Sequence, residues 1–130
     1  MNLDPKVNNQ IFRKDNPIII AQNRQLATIQ AVRLAHDTDG YSAGQVLVRN
    51  SSTTYYEKYS AGSGTYDAVA ILFEDVDGAE FTGSTGTALA RGIFGGEVFK
   101  DKLIDLDAGA ITDLGAKTIV DATGVNVLKF

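Results

Sequence analysis

The sequence predicts a mainly β domain with one short helix, an α+β chain forming a small barrel or sandwich behind a flexible N-terminal arm. Three observations carry this prediction. From about residue 27 onward, short β-prone runs alternate with clusters of glycine, asparagine and serine. All thirteen glycines lie between Gly40 and Gly124, whereas both prolines, Pro5 and Pro17, fall in the first seventeen residues. Only one stretch, Ala110 to Ala122, spaces its apolar residues for a helix. A chain of 130 residues is the size of one domain, so residues 1–20 read as the arm and 21–130 as a single β-rich domain.

The arm is polar, broken by proline and without sustained periodicity, as Asn2, Asn8, Asn9, Gln10, Lys14, Asp15 and Asn16 illustrate. Ile11, Phe12, Ile18, Ile19 and Ile20 interrupt it with apolar, β-prone side chains. These dock either on the domain itself or on a partner. Strands follow at Ala27–Leu34, Gln45–Arg49, Thr54–Tyr59, Ala68–Phe73, Thr87–Arg91, Gly96–Phe99 and Val125–Lys129. Val46 and Val48 alternate with Leu47, and Val125 and Val127 with Asn126, the pattern of half-buried strands. The run Ala68–Phe73 reads as buried on both faces. Between the strands, Asp37–Gly40, Ser60–Gly64 and Thr82–Gly86 supply turn chemistry. In the helix, Ile111, Leu114 and the Thr118–Ile119 region share one face, Gly115 weakens it and Gly124 ends it.

Several function classes are disfavoured at once. Without cysteine there is no disulfide framework, thiolate zinc site or cysteine nucleophile. The longest apolar runs are far below the roughly 20 residues that span a bilayer, and the first residues lack the pattern of a signal peptide. The expectation is therefore no membrane association and a cytoplasmic start. A net charge of −4 argues against direct nucleic-acid binding, which needs a basic face. Charge is uneven, with −7 from Asp67 to Asp121 and +2 over residues 1–66. An acidic surface of this kind keeps a small domain soluble, or meets a basic partner.

No catalytic constellation emerges. His36 is the only histidine, and its neighbours Asp37-Thr38-Asp39-Gly40 read as a solvated turn rather than part of a triad. Asp37–Gly40 and Asp75–Gly78 share an Asp-x-Asp-Gly string that opens calcium loops, but Val48 and Gly86 stand where the closing glutamate belongs. Gly92, Gly95 and Gly96 fit neither the phosphate loop nor the dinucleotide fingerprint. Tyr55, Tyr56 and Tyr59, with only Arg49 and Lys58 nearby, suit a cross-strand aromatic cluster better than a base-stacking platform. No cofactor and no metal are expected. What remains is binding or assembly, with an extended arm suited to adding a strand to a partner's sheet.

One stretch goes further. Ala68-Val69-Ala70-Ile71-Leu72-Phe73-Glu74-Asp75-Val76-Asp77, followed after a turn by Ala88-Leu89-Ala90-Arg91-Gly92-Ile93-Phe94, resembles the lambda-type phage head decoration proteins. Upstream, Gly44-Gln45-Val46-Leu47 is similar to the family's glycine-initiated strand, and downstream Gly124-Val125-Asn126-Val127 is similar to its closing strand. The resemblance covers about residues 26–130 and departs from the family at Val48 and Ile93. It implies a β-tulip-like fold and a non-enzymatic homotrimer. That trimer would sit on the three-fold sites of the expanded head, bind the major capsid protein and stabilise the shell against packaged DNA. Localisation would be the outer surface of the virion, after assembly in the host cytoplasm. On this reading Ile11, Phe12, Pro17, Ile18, Ile19 and Ile20 form the capsid-binding arm, and Glu74, Asp75, Asp77, Arg91 and Gly92 form a structural frame beside the buried strand. The competing reading is a carbohydrate- or receptor-binding β module of a phage or bacterial surface structure that uses the tyrosines and acidic loops, with or without calcium.

Overall fold

The computed structural model describes Ile20 and residues 27–60, 66–81, 86–120 and 123–130. Ile11, Phe12, Pro17, Ile18 and Ile19 lie outside the described residues. Among the described residues the strands are β1 (Thr28–Leu34), β2 (Val46–Arg49), β3 (Tyr56–Lys58), β4 (Ala68–Leu72), β5 (Ala88–Gly95), β6 (Glu97–Phe99), β7 (Lys117–Val120) and β8 (Asn126–Lys129), with one α-helix, α1 (Ala108–Leu114). Five strands close a barrel in the order β1-β3-β2-β4-β5, and the other three form a sheet in the order β6-β8-β7. The mainly β prediction with one helix therefore holds. All barrel pairings are antiparallel except β1 with β3. That parallel seam is short. Its register holds only Leu34 opposite Tyr56, extended by the Ala35 amide donating to the Tyr56 carbonyl at 2.9 Å.

A barrel of this few strands has room for side chains and little else. Val32, Leu34, Leu47, Leu72 and Val76 fill it, and β5 contributes the small residues Ala88 and Ala90. Gly92 continues that column: a Cβ there would lie 3.0 Å from Val32 Cγ1 and 3.4 Å from Phe94 Cε1. The strand predicted to stop at Arg91 runs to Gly95, since β1 pairs with it along that length through a bulge near Thr28.

Outside the barrel, β4 meets a second layer. The β2–β4 register shifts between Leu47 and Val48, where Leu47 faces Ala70 and Val48 faces Ala68. Val69 is the extra residue of this bulge and packs with Ala70 against the barrel interior. Ala68 instead joins Val46, Val48, Tyr59 and Ala110 beneath α1. This explains the apolar run: the barrel covers one face, the helix and small sheet the other. Val46, Leu47 and Val48 are consequently all buried, which corrects the half-buried pattern predicted for them.

The helix is also corrected. It spans Ala108–Leu114 rather than Ala110–Ala122, capped by the Asp107 side chain and ended by Gly115 at φ 65°. Ala116 donates back to the Ile111 carbonyl at 3.0 Å, completing a helix-ending motif that glycine favours. Thr118 and Ile119 are not on a helix face but in β7, paired with Leu128 and Val127 of β8. Gly124, predicted to end the helix, lies instead in the β7–β8 connection at φ 87°. Val127 and Leu128 are both fully buried, whereas Val125 precedes the strand and is exposed.

Candidate functional site

The residues of the motif converge at the β4–β5 border. Ile71 and Leu72 of β4 face Ile93 and Gly92 of β5, and the Phe73 amide donates to the Arg91 carbonyl at 3.0 Å. Glu74, the next residue, turns its carboxylate back onto Arg91. Oε2 accepts from the Arg91 backbone amide at 2.8 Å and from Nε at 3.1 Å, and Oε1 accepts from Nη2 at 3.2 Å. Glu74 is 2% exposed. A carboxylate so buried is stable only when its lone pairs are occupied by charged or backbone donors, and these three supply that. The guanidinium also lies over the Phe73 ring at 5.1 Å.

The acids that follow are used just as fully by the backbone. Asp75 Oδ1 accepts from the Ala43 amide at 2.7 Å, tying the β4 end to the turn before β2. Asp77 caps a 3₁₀ turn over Gly78–Glu80, accepting from the Ala79 amide at 3.1 Å, while Glu80 Oε2 accepts from the Asp77 amide at 2.9 Å. Every acid of the motif therefore orders a turn or pairs with Arg91.

The two Asp-x-Asp-Gly strings, separate in sequence, interlock. Asp37 Oδ1 accepts from the Asp39 amide at 2.9 Å, forming the expected turn. Tyr41 and Val76 then exchange backbone hydrogen bonds, both 2.8 Å. Gly40, at φ 74°, presses on the second string: a Cβ there would lie 2.7 Å from the Gly78 amide nitrogen and closer still to the Val76 carbonyl oxygen. Gly78 returns the contact, since its Cβ would lie 2.8 Å from the Thr38 carbonyl carbon and closer still to that carbonyl's oxygen. Each glycine thus makes room for the other's turn. Both strings stand out in the sequence, but nothing in it marks their contact, which the fold alone creates. Among the described residues no group of three or more His, Cys, Asp or Glu side chains could hold a metal ion.

The other candidates disperse. His36 meets the Phe81 ring edge-on at 5.6 Å. Tyr55, Tyr56 and Tyr59 do not form one cluster: Tyr56 meets Phe94 edge-on at 6.0 Å at the barrel interior, while Tyr59 is buried under α1. The Tyr59 hydroxyl donates to Asp107 Oδ1 at 2.9 Å, and the same oxygen accepts from the Ala110 amide at 2.8 Å, so one carboxylate caps the helix and latches it to β3. That hydrogen bond, with burial and the nearby acids Asp107, Asp113 and Asp67, raises the Tyr59 phenol above its ordinary range. Tyr41, whose hydroxyl donates to the Ala35 carbonyl at 2.8 Å, is raised more strongly, by burial first and then by the charges of Asp37 and Glu57. Asp37 itself pairs with Lys58 at 3.2 Å.

Ile20 is the one arm residue among those described. It is 6% exposed, bridges antiparallel to Val98 of β6 and packs with Ile71, Phe73, Ile93 and Leu128. Its side chain belongs to the core of the domain. No helix among the described residues is long and apolar enough to cross a membrane. No family model matches the chain, and comparison with curated proteins and with solved structures finds no match either.

Proposed function

We propose that the protein is a structural decoration protein of a phage-type head, a homotrimer that binds the major capsid protein at the three-fold sites of the expanded shell. The observation that carries this reading is the unity of the motif. Residues 68–77 and 88–94, which hold the resemblance, fold as neighbouring strands locked by the Glu74–Arg91 pair. The mainly β architecture, a closed barrel with an appended sheet and a short helix, is the coarse class that this reading requires. The motif's acids are occupied with internal hydrogen bonds, so its role here is architectural.

In this reading residues 1–19 are the capsid-binding element, with Ile11, Phe12, Pro17, Ile18 and Ile19 as its contacts, and Ile20 roots them on β6. An extended segment that orders on contact binds modestly by itself, because ordering costs entropy. Several such segments on one oligomer act together through effective concentration. The test is co-sedimentation of the folded protein with undecorated heads of its source virus, comparing expanded shells with unexpanded precursors at matched salt. Saturable binding to expanded shells alone is the expected result. Binding to neither form would overturn the proposal and favour the ligand-binding β module. Deletion of residues 2–19 should abolish binding and leave the fold intact; a truncated protein that still saturates heads would refute the role of the arm.

A further inference from the structure

The helix α1 ties together strands that are not neighbours. Its capping residue, Asp107, accepts from the Tyr59 hydroxyl at 2.9 Å, and Tyr59 directly follows β3. Near the other end of the helix, Asp113 Oδ2 accepts from the Ala68 amide at 3.1 Å, at the start of β4. In the barrel β2 stands between β3 and β4. The helix therefore straddles β2, and Ala110 packs with Val46 and Val48 of that strand as well as with Tyr59 and Ala68.

A span of this kind resists one movement in particular. The seam between β1 and β3 is the barrel's shortest joint. β1 does not readily leave it, because β5 pairs with β1 from Thr28 to Leu34. Opening the seam therefore means swinging β3 away from β1, alone or together with β2. The Asp37–Lys58 ion pair, which joins the chain just past β1 to β3, is partly exposed and opposes this only weakly. Tyr59 moves with β3, whereas Asp113 keeps α1 on β4, so either movement breaks the Tyr59–Asp107 hydrogen bond. We infer that α1 is a brace across β3, β2 and β4 that holds the β1–β3 seam shut, with the Tyr59–Asp107 hydrogen bond as its latch. The device is conformational: releasing the latch at the end of β3 loosens the joint along its far edge. It goes beyond the decoration reading and does not rest on it.

Native-state hydrogen exchange of the full chain in low urea tests the brace, read at the Ala35 amide, which donates across the seam to the Tyr56 carbonyl. In the parent this amide should exchange by a local opening whose urea dependence is well below that of global unfolding. Tyr59→Phe should speed its exchange about tenfold or more, by the same factor as it raises the unfolded fraction, since both openings break the latch. Asp107→Ser keeps a capping oxygen for α1 but shortens the side chain that reaches Tyr59, and should act alike. Ala35 exchange that neither variant speeds overturns the proposal, because the seam would then open with the latch intact. So does an effect of Tyr59→Phe that Asp107→Ser fails to reproduce, or a parent Ala35 amide that exchanges only by global unfolding.

Discussion

Replacing Gly78 by alanine perturbs the molecule at one defined contact. The new Cβ would lie 2.8 Å from the Thr38 carbonyl carbon, whereas carbon atoms at optimal separation are about 3.5–4.0 Å apart. The Thr38 turn must therefore retreat by at least about 0.7 Å. It is bound to the second turn by the two Tyr41–Val76 hydrogen bonds, so retreat stretches both. Overpacking of this kind costs about 1–3 kcal/mol, and two weakened hydrogen bonds about 0.5–1.5 kcal/mol each. The expected loss is about 2–6 kcal/mol. Gly115→Ala is the control: it too forces an L side chain to a positive φ, 65°, but nothing lies within 4 Å of its Cβ. Its expected cost is the conformational one, about 1–2 kcal/mol. Gly40→Ala combines clash with φ 74° and should be the worst of the three. Urea unfolding at fixed protein concentration, read as the midpoint at unchanged slope, measures the series. If Gly78→Ala loses no more than Gly115→Ala, the interlocking of the two turns is not what holds this end of the barrel.

Removing Arg91 as Arg91→Ala should cost about 3 kcal/mol, the lower end for a broken buried pair because its side chain is 34% exposed; Glu74→Gln, which keeps an acceptor, should cost less, and the reverse order in denaturant midpoints would refute the geometry. Ile20→Ala should lose about 2–4 kcal/mol as a core truncation, and a midpoint equal to the parent's would place Ile20 outside the core. Alkaline titration followed by tyrosinate absorbance should show Tyr41 and Tyr59 ionising above the ordinary tyrosine range, with Tyr41→Phe removing one tyrosine's worth of the delayed signal. Because the folded form holds the Tyr41 proton more tightly than the unfolded chain, this stabilising effect is full below the ordinary tyrosine pKa of about 10 and is lost as pH rises through the raised value. Stability of the parent should therefore fall more steeply in alkali than that of Tyr41→Phe.

Much of the fold was legible because local chemistry and final structure agree. Asp37–Gly40 is a turn by its own side-chain hydrogen bond, and Ala68–Phe73 is apolar throughout because two layers cover it. The helix misled because Ile111, Leu114 and Ile119 happen to share helical spacing, while the β-branched run Thr118-Ile119-Val120 and the helix-ending Gly115 carried the better signal. The continuation of β5 through Gly92 and Gly95 was hidden because glycine disfavours strands except where another element approaches closely, as Val32 does here. Strand order was not legible at all, since β1 joins β5 and β3 through contacts distant in sequence. Of the candidate site, Glu74 and Arg91 were expected in one structural frame but not as each other's partner, whereas Ile20 looked like the rest of the arm because burial by β6 leaves no mark on an isoleucine run.

The seam between β1 and β3 has a kinetic consequence. The barrel's other joints are ladders of two or more paired positions, but this one rests on Leu34, Tyr56 and a single added hydrogen bond. So small a joint contributes little until the strands on either side have already assembled, and it is therefore expected to close after the folding barrier and to open before the rest. Strengthening it should then lengthen the lifetime of the native state rather than speed its formation. A disulfide engineered across positions 34 and 56 should slow unfolding while leaving the folding rate nearly unchanged.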